Sequence, residues 1–132
     1  MRQLILIMLW LGVMSCTNSQ NKKFKPEKDM IELSALQGDI KLKAGQKAYY
    51  QANVHGSVGF TTKVSPGNTS LFTLINTHFV YKDASKAKMS GGDSGTKTFI
   101  FEALKPGNTV LMIENSFRGE SKSTHKIKVT IE

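Results

Sequence analysis

The sequence holds one cysteine, Cys16, so no disulfide can form within the chain and any folded part must be held by its apolar core. Beyond the N-terminus no eleven-residue stretch carries a 3.6-residue apolar period, which excludes a helical bundle. Acidic residues are few: 10 Asp and Glu stand against 18 Lys and Arg, a formal net charge of +8. Such a balance suits anionic partners such as lipid headgroups, envelope polymers or an acidic protein, and equally a plainly solvated face. Nucleic acid is a poor candidate as a partner, because the lysines are scattered among candidate strands rather than gathered with aromatics. At 132 residues there is room for one domain, and a domain of this size buries enough apolar surface to fold alone.

What is present begins with a leader. Arg2 supplies a short basic start, residues 4–13 are almost purely apolar, and the run is too short for an ordinary membrane-spanning helix. Val13-Met14-Ser15-Cys16 follows at once. This resembles the bacterial lipobox, in which an aliphatic residue at −3 and a small residue at −1 precede a cysteine that is acylated and becomes the new N-terminus; Met14 departs from the usual small residue at −2. The expectation is a signal peptide over 1–15, lipidation at Cys16, and a protein anchored in the bacterial envelope, facing the periplasm or the cell surface. Residues 16–29, polar and broken by Pro26, read as a flexible tether.

From residue 30 to 132 the pattern is short strands separated by Gly and Pro turns. Strands are predicted near 31–33 with 40–42, then over 46–54, 59–64, 71–81, 96–104, 109–116 and 124–131. Ile127, Val129 and Ile131 alternate with Lys126, Lys128 and Thr130, which gives one buried and one wet face. Ala48, Tyr50, Ala52 and Val54 form a second such face, and Phe99, Phe101 and Ala103 a third. About seven strands at this spacing predict an all-β domain, an immunoglobulin-like antiparallel sandwich, with a small barrel as the structural competitor.

The connections are of two kinds. Those at 43–45, 65–68 and 105–108 are compact Gly or Pro turns, whereas 55–58, 82–95 and 117–123 lack proline and are looser. The kinds alternate, and successive strands of a sandwich run in opposite directions, so the three looser loops are expected at one pole. Three loops presented by a rigid scaffold are a common place for binding function.

At these loops the sequence resembles the chagasin family, immunoglobulin-like inhibitors of papain-like cysteine peptidases. The likeness runs from about residue 31 to the C-terminus and is strongest over 95–107, which opens on Gly95, carries Phe99 and Phe101, and ends in Lys105-Pro106-Gly107. The family's first loop, Asn-Pro-x-Thr-Gly-Tyr/Phe, lines up with His55-Gly56-Ser57-Val58-Gly59-Phe60, where Gly59 and Phe60 match and Val58 replaces the threonine. Its second, Gly-x-Gly-Gly, lines up with Gly92-Asp93-Ser94-Gly95. Its third, Arg-Pro-Trp/Phe, lines up at Arg118, with Phe117 before it and Gly119 and Glu120 after. The resemblance implies a monomeric inhibitor without cofactor whose first loop lies over the peptidase's catalytic cysteine while the outer loops grip the cleft walls. The loss of Asn-Pro removes rigidity from the first loop, which tends to weaken binding.

Chemistry of other kinds is unsupported. A hydrolase would need a serine set against His55, His78 or His125 and an acid such as Asp93, and no nucleophile-elbow motif accompanies them. No two histidines fall at metal-ligand spacing, and the glycines at 91–95 lack the Lys-Ser/Thr of a phosphate cradle. Two functions remain open: a peptidase inhibitor, or an envelope module that binds another protein or a glycan through the same pole or a strand edge.

Overall fold

The computed structural model describes residues 21–132, so the leader 1–15 and Cys16 lie outside the described residues. Eight strands follow one another: β1 (Ile31–Leu33), β2 (Asp39–Leu42), β3 (Lys47–His55), β4 (Phe60–Pro66), β5 (Phe72–Tyr81), β6 (Ser94–Ala103), β7 (Gly107–Phe117) and β8 (Glu120–Ile131). Hydrogen bonds link them in the order β2-β8-β7-β4-β3-β6-β5, with β1 beside β3. Between β3 and β4 only the rung His55–Phe60 is formed. The path therefore bends there into two layers, β1-β3-β6-β5 and β2-β8-β7-β4, packed as an open immunoglobulin-like sandwich.

The expected alternation holds. Ala48, Tyr50, Ala52, Phe99, Phe101, Ala103, Ile127, Val129 and Ile131 all point inward and are buried. Phe72 of β5 stacks on Phe101 with ring centroids 5.1 Å apart, and both are fully buried. Fully burying one such side chain is worth about 1.5–3 kcal/mol, so these two rings and the aliphatic rows of β7 and β8 carry much of the fold's stability.

Three details depart from the expectation. The segments 31–33 and 40–42 do not pair with each other: β1 lies parallel to β3 and β2 parallel to β8. A turn closed by Gln37 N–H on the Ser34 carbonyl, at 2.9 Å, carries the chain from one layer to the other. Each short piece thereby covers a sheet edge that would otherwise be open, and the strand count becomes eight with two parallel pairs. The third expected loop is also much shorter than 117–123. Strands β7 and β8 run on to Phe117 and Glu120, leaving only Arg118 and Gly119 between them, both at positive φ (52° and 82°). That is the backbone of a two-residue hairpin turn, whose twist matches the strands it joins. An irregularity between Asn115 and Ser116 lets the ladder reach so far.

Finally, the segment read as a tether is held over its described part. Asn21 pairs with the Tyr81 backbone in both directions, its Oδ1 accepting from the amide at 2.6 Å and its Nδ2 donating to the carbonyl at 3.2 Å. The Lys22 carbonyl lies 2.7 Å from His78 Nε2. Phe24 packs its ring against Tyr49 (5.1 Å) and His78 (5.9 Å), and Glu27 meets Lys47 at 3.4 Å. Residues 21–29 thus form a strap over the outer face of β3, β6 and β5, running from the loop pole down to the start of β3. Composition hid this, because one phenylalanine and backbone-directed amides suffice to hold a polar strand-free segment.

Candidate binding pole

The first loop is a single 3₁₀ turn, Gly56–Val58, closed by Gly59 N–H on the Gly56 carbonyl at 2.9 Å. Gly59 itself is left-handed, at φ 84°. A β-carbon there would sit 3.0–3.1 Å from the side chain and backbone of Arg118, so conformation and space both require glycine. The Gly59 carbonyl accepts from the Arg118 amide at 2.8 Å, which joins the first loop to the third.

The second loop reaches the first from the other side. Asp93 Oδ2 accepts the Ser57 amide at 2.8 Å and Oδ1 accepts the Ser57 hydroxyl. His55 Nε2 lies 3.3 Å from Asp93 Oδ1 and 2.9 Å from the Gly91 carbonyl. Hydrogen bonding from Ser57, its hydroxyl first, holds the Asp93 carboxyl below its ordinary value; partial desolvation opposes this and the nearby His55 ring adds to it. Serine, histidine and aspartate therefore meet, but with the carboxylate in the middle. Ser57 directs both of its donors to Asp93, while the His55 Nε2 hydrogen bond goes to the Gly91 carbonyl, so the group has the geometry of a clamp and not the nucleophile–base–acid order of a triad.

At the tip, Val58 and Phe60 are 42% and 41% exposed. Phe60 leans toward Phe117 across the β4–β7 ladder, ring centroids 6.4 Å apart, and the Arg118 guanidinium lies 5.1 Å over the Phe117 ring. The result is a small apolar crest flanked by a cation. Below it, Thr62 Oγ1 donates to Asn115 Oδ1 at 2.7 Å and Asn115 Nδ2 donates to Ser123 Oγ at 3.0 Å. These bonds cross β4, β7 and β8 and fix the base of the pole.

Of the expected site residues, His55 to Phe60, Asp93, Phe117, Arg118, Gly119 and Glu120 gather at this end, and Gly92 stands beside them. Ser94 and Gly95 belong to β6 instead. Ser94 pairs with His55, and Gly95 is buried between Val54 and Tyr81. A β-carbon on Gly95 would fall 2.3 Å from the Val80 carbonyl and 2.6 Å from the Phe79 ring, so its glycine serves strand packing and offers nothing to a partner. The Asp93 link was missed in the sequence because its partners stand 36 residues away.

No family model and no curated protein matches the chain. Among solved structures the chain is similar to the cysteine protease inhibitor EhICP2 from Entamoeba histolytica, with a TM-score of 0.61 and 16% identity, over 78% of this chain and 94% of that one. It is similar also to amebosin, with a TM-score of 0.57 and 13% identity, over 78% and 96% of the two chains. At these identities the likeness is one of fold: nearly the whole of each neighbour is the same sandwich as the described domain.

Proposed function

We propose that this protein is a reversible inhibitor of papain-like cysteine peptidases. It would plug the active-site cleft with the first loop at the centre and the second and third loops on either side. The observation that carries this reading is the crest of Val58 and Phe60, exposed at the tip of a loop that is tied to both neighbouring loops. A narrow apolar ridge on a rigid base suits a cleft, and its fixed backbone keeps the entropy cost of binding low. Similarity in fold to EhICP2, a cysteine protease inhibitor, supports the same reading. We further propose that the protein is lipid-anchored through Cys16 in a bacterial envelope and acts as a monomer.

The test is titration of the purified protein against papain. Competitive, reversible inhibition at submicromolar concentration is expected, through a contact of about 1,600 Å² in total, the common size for such complexes. Failure to inhibit papain and its relatives at micromolar concentration would end the inhibitor reading.

A further inference from the structure

The first loop contains no proline and two glycines, Gly56 and Gly59, so its own sequence gives it little stiffness. Its 3₁₀ turn also lacks a cap of its own: His55, at the capping position, makes no side-chain hydrogen bond to the turn's amides. A loop built this way should wander between conformations. In the structure the missing constraint comes from another loop. One carboxylate, Asp93, receives the Ser57 amide, the Ser57 hydroxyl and a contact from His55 Nε2. Each of its two oxygens thus takes one Ser57 donor, while the His55 Nε2 hydrogen bond goes to the Gly91 carbonyl beside it. Bonds to an ionised acceptor are about twice as strong as neutral ones. Gly56 completes the fit, because a β-carbon there would stand 3.3 Å from Asp93 Oδ2 and crowd the carboxylate.

We infer that Asp93 is a positioning residue: it caps the 3₁₀ turn of the first loop across the gap between loops and holds that loop in its binding-competent form. This rests on the inhibitor reading for its functional consequence. The clamp stands in for the stiffness that a proline would give, and it divides the pole's labour. Val58, Phe60 and Arg118 face the target, while Asp93 acts on the target only through the first loop. When a loop is competent only part of the time, the apparent dissociation constant rises by the inverse of that fraction. The loss then appears mainly as slower association, because the complex, once formed, keeps its contacts.

The experiment compares purified wild-type protein with Asp93→Ala and Asp93→Asn, measuring the exchange protection of the Ser57 amide by NMR, the thermal midpoint, and association and dissociation rates with papain. Asp93→Ala should expose the Ser57 amide to exchange and slow association about tenfold, with the midpoint and the dissociation rate nearly unchanged. Asp93→Asn keeps one carbonyl oxygen for the amide and should restore part of the protection and part of the rate. A Ser57 amide that stays protected in Asp93→Ala overturns the inference. So does lost protection with an unchanged association rate. If the wild-type protein inhibits nothing, the inhibitor reading falls separately, and the Ser57 amide alone then decides whether Asp93 holds the loop.

Discussion

Gly59 is the residue at which backbone, packing and proposed function coincide. Its left-handed φ and the 3.0 Å approach of Arg118 mean that any side chain there costs strain and pushes the third loop aside. Placing a non-glycine residue in this conformation costs about 1–3 kcal/mol, against a total stability of about 5–15 kcal/mol for a typical domain. Gly59→Glu should therefore leave the protein folded, as read by its thermal transition, while abolishing papain inhibition. Lys105→Ala, on the exposed turn at the opposite pole, should change neither measurement. A Gly59→Glu protein that still inhibits would show that the first loop is not the central contact, since binding in such interfaces concentrates in a few central groups.

Among the elements, the inner strand faces were the most legible part of the sequence, because alternation with period two is a local signal. Ile127, Val129 and Ile131 against Lys126 and Lys128 is the clearest case, and the burial follows it residue by residue. Phe101→Ala, which empties a fully buried site stacked on Phe72, should destabilise the domain by about 3–5 kcal/mol in denaturant unfolding. Lys128→Ala on the wet face should move it by less than about 0.5 kcal/mol. Equal losses would mean that the strand phase is wrong. What stayed hidden was non-local. The short strands β1 and β2 go to whichever sheet edge is free, a choice made by tertiary packing alone. Arg118 and Gly119 read as part of a loose loop until the long β7–β8 ladder drew them into a tight turn. In the sequence Gly95 lines up with the second loop as a contact residue, and only the closeness of Phe79 and Val80 shows why it must be glycine. At the site, the residues of the first loop were legible, but the tie to Asp93 that orders it depended on the fold.

At the scale of the whole molecule, the two poles differ in what they hold. Compact turns fix one end, through bonds such as Gly67 N–H to the Val110 carbonyl and Gly45 N–H to the Ala103 carbonyl, both 2.7 Å. The other end carries the three loops, and to that same end the strap delivers the N-terminal part of the chain, since Asn21 is pinned at Tyr81. Five residues from Cys16 to Asn21 span at most about 18 Å. For a molecule anchored at Cys16, the strap therefore sets the headroom above the bilayer, and a globular target of about 200 residues is roughly 40 Å across. Releasing the strap as far as Met30 extends the reach to about 50 Å. On vesicles, the double change Asn21→Ala and Phe24→Ala, which removes the pin at Tyr81 and the packing on Tyr49, should speed the capture of papain by the anchored protein, and in a Cys16→Ser protein, which should leave the membrane fraction, the same double change should have no effect. Unchanged membrane association of Cys16→Ser would remove the anchor, and with it this gating by leash length.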